Sequence, residues 1–299
     1  MNRLGLGVQR PQAQALRTAP LRHINGTMRL LGRSPIAVIG AGLILAAVLL
    51  AVAAGAIAPH NPVAQIAPPL LPPGRTYVAG TDELGRDELS RLIYGARVSL
   101  YVGVLSVSIA LALGASSGVV AGFYGGWLDN ALMRAMDILF SLPAIVLAIA
   151  ITSILGPSLT NAMIAIGIVY APTFARIARG PTLTVVNLAY IEAARAVGVP
   201  NGQIMLRHVL PNVSPPLLVQ TTVSLSTAIL TEAALSFLGL GTQPPTASWG
   251  LMLSAARQYM LIDPWIALLP GAAIALTVLG FNLLGDGLRD LLDPRLRVV

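Results

Sequence analysis

The chain has no lysine and no cysteine, and all 19 of its basic residues are arginine. Without lysine it can form no lysine Schiff base and cannot carry the phosphate-cradling loop G-x-x-x-x-G-K-[ST]. Without cysteine it has no disulfide, no thiol nucleophile and no thiolate metal site. Histidine occurs only at His23, His60 and His208, and no H-E-x-x-H is present. Charge is scarce as well: 10% of the 299 residues are charged, where soluble domains carry about 25%. These absences remove the usual tools of most enzyme classes. No catalytic residue and no metal ligand is expected.

What is present is apolar. Hydrophobic residues make up 55% of the chain and the mean hydropathy is +0.76, which argues against a water-soluble globular protein. Crossing a bilayer core takes about 20 mostly apolar residues in helix. Six stretches qualify, near 36–58, 98–122, 135–155, 161–178, 217–240 and 265–284. They are longer than ordinary core helices and lack the alternation of barrel strands. In hydrocarbon each backbone polar group must be satisfied within its own segment, so helix is the expected form. The expectation is an all-α polytopic membrane protein with six transmembrane helices. A cleaved signal peptide fits poorly, because the first apolar run and the leader before it are both too long.

Arginine placement predicts orientation. The leader carries six arginines and no acid, which accounts for most of the net charge of +7. With the leader in the cytoplasm, fourteen arginines lie inside and five outside; this bias puts both termini in the cytoplasm. Anionic lipid is then sufficient to explain the high pI, and no nucleic acid is needed. The expected organisation is an Arg-rich leader (1–35), a first transmembrane helix (36–58), an extracytoplasmic segment with an amphipathic helix (59–97), a five-helix core (98–285) and a cytoplasmic tail (286–299).

The outer segment opens on a proline-rich stretch that cannot be helical. The run 80–100 then reads as an amphipathic helix at the outer interface, with its acids and arginines on the wet side. Trp249, Tyr259 and Trp265 read as an interfacial aromatic belt. Within the spans, Ser106, Ala110, Gly114, Gly118 and Gly122 recur every four residues, a ladder of small side chains suited to close helix packing. The fifth span carries a polar face including Thr222 and Ser226, plus an intramembrane acid, Glu232. These three are pathway or structural polar candidates, and Glu232 reads better as a hydrogen-bonding group than as part of a proton relay.

The connection 179–212 is expected to be cytoplasmic and structured. Asn187 is placed to cap a helix over 188–197. Gly198 falls where a left-handed C-terminal cap is needed, and Pro200 and Asn201 suit the start of a second helix. Pro211 is expected to end that helix. A short, small-residue helix of this kind either enters a groove on a partner or rests on the membrane surface.

Within this connection stand Glu192-Ala193-Ala194, Gly198, Ile204, His208, Leu210 and Pro211. They resemble the E-A-A-x-x-x-G signature of permease subunits in ABC importers. Three further runs resemble the C-type permeases of the dipeptide/oligopeptide/nickel importers. They are Gly80-Thr-Asp-x-x-Gly-Arg-Asp-x-x-Ser-Arg-x-x-x-Gly-Ala-Arg97, Leu235-Ser-Phe-Leu-Gly-Leu-Gly241 and Asn282-Leu-Leu-Gly-Asp-Gly-Leu-Arg289. The resemblance implies a type I ABC importer permease fold in a bacterial plasma membrane. It also implies four kinds of partner: a second homologous permease, two ABC ATPase subunits, an extracytoplasmic substrate-binding protein and membrane lipid. No cofactor would be bound by this chain; ATP and Mg would sit on the ATPases. Glu192, Ala193, Ala194, Gly198, Ile204 and His208 would couple the loop 187–211 to those ATPases, and the solute would be a di- or oligopeptide or a related small molecule. A stand-alone secondary transporter or channel is the competing reading, but such proteins usually show internal repeats and several intramembrane polar sites.

Overall fold

The computed structural model describes residues 34–292. The expectations for the Arg-rich leader and for the tail beyond residue 292 lie outside that range. Every regular element among the described residues is helical. Helix α1 (Pro35–Ile57) starts at Ser34, whose side chain accepts from the Ala37 amide, with Pro35 in the first turn; proline is tolerated there because that N–H has no intrahelical partner. Helix α2 (Glu88–Tyr124) starts at Asp87, which accepts from the Ser90 amide. Then come α3 (Gly126–Phe140), α4 (Ala144–Leu155), α5 (Leu159–Val185), α6 (Ala189–Ala196), α7 (Asn201–Ile204), α8 (Leu210–Phe237), α9 (Trp249–Ala256) and α10 (Trp265–Leu292).

Close approaches fix the direction of each crossing. A β-carbon on Gly114 would meet Ala171 and Phe174, one on Gly118 would meet Ala175 and Ala178, and one on Gly122 would meet Thr182. Residue numbers rise together on both helices, so α2 and α5 run parallel. Gly40 lies against Gly280 and Leu284, and Gly287 against Ala37, so α1 and α10 run antiparallel. The chain must therefore return across the bundle between α2 and α5. The pair α3–α4 makes that crossing.

This third crossing departs from expectation. Instead of one rod over 135–155, two helices meet at 91°. Ser141, Leu142 and Pro143 form the break. Proline disfavours the α conformation in the residue before it and supplies no N–H, so its position at the junction explains a break that apolar content alone does not reveal. Five unbroken helices and this bent pair are long and apolar enough to span a membrane. Several run further than expected. Helix α2 has 37 residues, about 55 Å at the helical rise, well beyond a hydrocarbon core of about 30 Å. Helices α5 and α10 extend past residues 178 and 284.

The segment before α2 is not an amphipathic helix with a wet face. Asp82, Arg86, Asp87, Glu88 and Arg91 are all buried. Arg86 pairs with Asp82 and Glu83, and Arg91 Nε lies 3.1 Å from the same Asp82 oxygen, Oδ2, that faces Arg86. Asp82 Oδ1 also accepts from the Leu84 and Arg86 amides. The proline-rich stretch supplies the cover. Ile66 and Ala67 donate to the Gly85 carbonyl, Leu70 to Asp82, and Thr81 to Leu71, while Arg91 donates to the Pro62 carbonyl. Charges this deeply buried persist when paired and hydrogen-bonded; Asp82 and Arg86 meet that condition, whereas Glu88 has no ion-pair partner among the described residues.

Trp249 also leaves the expected aromatic belt. It is 3% exposed, and its indole N–H donates to the Leu92 carbonyl at 3.0 Å. Gly95 makes room for the ring, since a β-carbon there would lie 2.9 Å from Trp249 Cδ1. Helix α9 is thereby pinned to the start of α2. Trp249→Phe keeps most of the packing and loses this hydrogen bond; we expect a loss of about 1 kcal/mol, read as a lowered melting temperature of the purified protein. Trp265, by contrast, is exposed at the head of α10, where a belt residue belongs.

Candidate functional site

At the end of the bundle that holds the α2 C-terminus and the α5 C-terminus, the chain leaves α5 and builds the α6–α7 loop. Helix α6 has one fully buried side chain, Ile191, which joins the main core with Ile204 and Val209. Its C-terminus closes in a Schellman motif: the Gly198 amide donates to Arg195 and the Val199 amide to Ala194, both at 3.0 Å. Gly198 has φ +80°, a left-handed conformation that glycine adopts without a β-carbon penalty. The expected cap on α6 is absent, however. Asn187 donates its carboxamide to the Leu183 carbonyl at 2.8 Å and so finishes α5, leaving α6 without a side-chain cap.

Nor does Pro211 end the second helix. A wider, π-helical turn over Met205–Val209 follows α7 and passes directly into α8, with the Leu210 amide bonded to the Met205 carbonyl. Pro211 has no N–H for the carbonyl of Arg207, where an ordinary helix would require one. The wider turn shifts the bonding register just ahead of the proline and lets the helix continue.

The six residues expected to couple the loop divide into two groups. Glu192, Ala193 and Gly198 are exposed on α6 and its terminal turn, and Ala194 is half-buried against the core. Val197 at the tip is 79% exposed. Ile204 is fully buried and so supports the loop from beneath instead of presenting a surface. His208 is half-buried beside Tyr190, with ring centroids 6.0 Å apart. Asn212 donates to the His208 carbonyl at 2.6 Å, and its carboxamide also reaches the Tyr190 hydroxyl. Tyr190 and Asn212 thus tie α6 to the start of α8, a role that spacing along the chain did not expose. Arg195 extends from α6 over the Phe123 ring at the end of α2, 5.1 Å from its centroid; such contacts are attractive through the ring quadrupole.

The small-residue ladder lies entirely on the α2–α5 contact, where Ser106, Ala110, Gly114, Gly118 and Gly122 are all buried. The polar face of α8 turns inward to other helices. Ser226 Oγ donates to Asn282 Oδ1 of α10 at 2.8 Å, and Thr222 is buried where Gly285 approaches. Glu232 is fully buried. Its Oε1 accepts from Ser236 at 2.7 Å and from Thr242 at 3.2 Å, which ties the loop after α8 back onto the helix. Thr231 meets the Tyr170 hydroxyl of α5 at 2.9 Å. No group of three His, Asp or Glu among the described residues is placed to hold a metal ion.

Five helices and one bent pair long and apolar enough to span a membrane, with the short exposed helix α6 at one end, define a polytopic membrane protein. Residues 111–298 match the family described as "Binding-protein-dependent transport system inner membrane component", and the chain belongs to that family. It is 44% identical over 292 residues to the dipeptide transport system permease protein DppC of Alkalihalophilus pseudofirmus, covering 96% of this chain and 94% of that protein. It is 47% identical over 225 residues to the glutathione transport system permease protein GsiD of Pectobacterium atrosepticum, covering 75% of each. A solved structure of the inward-facing MetNI methionine ABC transporter shares the fold, with a TM-score of 0.54 at 22% identity over 68% of this chain and 96% of that one. The protein is thus a multi-pass inner-membrane permease subunit of an ABC importer.

Proposed function

We propose that this permease carries di- or oligopeptides, or related small solutes, into the cytoplasm. Its relatives named for dipeptide and for glutathione transport support that solute class. It works with a second homologous permease, two ATPases that bind and hydrolyse ATP with Mg, and an extracytoplasmic binding protein. The α6 loop faces the cytoplasm together with both termini and is the site where the ATPases engage.

The observation that carries the coupling role is the build of α6. Ile191 roots it in the bundle while its outer side, from Tyr190 through Glu192 and Ala193 to Val197, stands exposed. A helix so presented can seat in a cleft, and the small side chains at Ala193 and Ala194 permit close approach. Glu192 has no ion-pair partner among the described residues and is available to a basic residue of the ATPase. Closure of the ATPases on ATP draws two such helices together and tilts the attached spans outward-open; hydrolysis resets them. Each nucleotide state must favour one arrangement of the spans for work to be done.

The chain's lack of cysteine makes the test direct. Ala193→Cys provides a single thiol on the permease, and in membranes carrying the whole importer it is expected to cross-link to a co-assembled ATPase. Labelling only by lipid-phase reagents, with no ATPase adduct in any nucleotide state, would overturn the coupling role. Solute movement by the purified chain without ATPases would instead favour a stand-alone transporter.

A further inference from the structure

Helix α3 is attached to the bundle in an unusual manner. Asp129, 9% exposed, is its only buried residue, so charge, more than apolar burial, holds this half of the broken span. Two arginines one turn apart on α5 grip it. Arg179 makes a bidentate pair with Asp129, with Nε to Oδ1 and Nη2 to Oδ2 both 2.6 Å. Arg176 donates to Asp137 Oδ1 at 2.7 Å and lies over the Phe140 ring, 4.1 Å from its centroid. Fork-to-fork arginine–carboxylate pairs fix orientation as well as distance.

The grip sits beside the α6 loop. Asp129 lies in the first turn of α3, just past Gly125 and Gly126, which have φ +65° and +59°. A β-carbon on either glycine would meet no atom within 4 Å, so packing does not stiffen this joint. On its near side is Phe123, buried at the end of α2, on which Arg195 of α6 rests. From α6 the contacts therefore run through Phe123 to a two-glycine joint and then to α3, with Arg179 bracing the far side of the joint against α5.

We propose that Asp129 and Arg179 form a positioning pair that makes α3, and with it the broken third span, follow the displacement of α6. With the pair intact, the glycine joint is braced and α3 travels with the ends of α2 and α5. Without it, the joint swivels and motion of α6 is lost before reaching the third span. This inference rests on the coupling role proposed for α6.

The test uses the assembled importer with spin labels at Asn130→Cys on α3 and Asp290→Cys on α10, the only thiols on this chain. In the otherwise wild-type permease the label-to-label distance is expected to shift between nucleotide-free and vanadate-trapped complexes. Asp129→Asn and Arg179→Gln are each expected to erase that shift while ATP hydrolysis continues. The exchanged pair Asp129→Arg with Arg179→Asp is expected to restore it, which a loss of stability alone would not produce. Persistence of the shift in either single variant overturns the proposal, as does the absence of a shift in the wild-type chain. Failure of both single variants to assemble also overturns it, because the pair would then serve folding only. The Ala193→Cys adduct, measured in parallel in a chain without the spin labels, separates the two hypotheses: its presence with an unaltered shift condemns the positioning pair alone, and its absence condemns the coupling role itself.

Discussion

Gly198→Val is expected to reduce uptake by at least about tenfold while leaving the protein inserted in the membrane. The cause is backbone conformation, not space. A β-carbon at this position would meet no atom within 4 Å, but φ is +80°. An L-residue held there costs about 1–2 kcal/mol, a β-branched one more, and every 1.4 kcal/mol is a factor of ten in a population. The Schellman motif opens, the amides of Gly198 and Val199 lose the Arg195 and Ala194 carbonyls, and the tip of α6 swings away from the position in which we propose it meets the ATPase. Gly198→Asn is the control, because asparagine visits the left-handed region readily; it is expected to retain most of the uptake. Equal loss with valine and asparagine would show that the positive φ is not the reason. Ala194→Trp should reproduce the valine phenotype by a different route, since this half-buried residue packs on the core and an indole would lift α6 off it. Uptake by the whole importer and co-purification of its ATPase, measured side by side, check all three variants.

The turn at Gly198 was legible in the sequence because its cause is local: a glycine one residue past a short helix, then a proline. The spans were legible for a similar reason, as long apolar runs announce themselves without reference to any neighbour. What escaped depends on chain segments that are distant in sequence. Asp82, Arg86 and Arg91 look like the wet face of a helix until the stretch from Pro62 to Leu71 folds over them, and that stretch has no periodicity to reveal what it covers. Arg179 and Arg176 read as ordinary basic residues at the end of a span; their partners Asp129 and Asp137 lie 50 and 39 positions away. Pro143 marks the bend, but hydropathy averages across the break and reports one span where two helices meet at 91°. Pro211 misled in the opposite direction. Proline ordinarily ends a helix, and here a wider turn just before it absorbs the missing donor. The stripe of small residues on α2 was plain as a stripe, but only the fold shows that α5 lies in it, and that the two helices run parallel.

That contact carries the other large effect. Leucine at Gly114 or Gly118 is expected to leave almost no folded protein in the membrane, and even Gly114→Ala should lower the melting temperature measurably. A β-carbon on Gly114 would overlap the Ala171 carbonyl oxygen and sit 2.6 Å from Phe174 Cβ; one on Gly118 would overlap the Ala175 carbonyl oxygen and sit 2.9 Å from Ala178 Cβ. Non-bonded carbons rest about 3.5–4.0 Å apart, so α2 and α5 would have to separate by roughly 1 Å to admit a single methyl group. The obstacles include backbone, which cannot rotate aside as a side chain can. Overpacking in a compliant core costs about 1–3 kcal/mol; here each added carbon also parts the helices along the whole ladder and forfeits dispersion contacts from Ser106 to Gly122. In the bilayer there is no hydrophobic drive between helices to compensate, since lipid is as apolar as the residues it would replace. Gly42 on α1 supplies the comparison. A β-carbon there would meet nothing within 4 Å, so Gly42→Ala should be neutral or stabilising by up to about 1 kcal/mol through helix propensity. Thermal unfolding of the detergent-purified chain, alongside its yield from membranes, separates these outcomes. A Gly114→Leu protein that melted with the wild type would mean that α2 and α5 do not touch along this stripe, and the bundle drawn around that contact would have to be rebuilt.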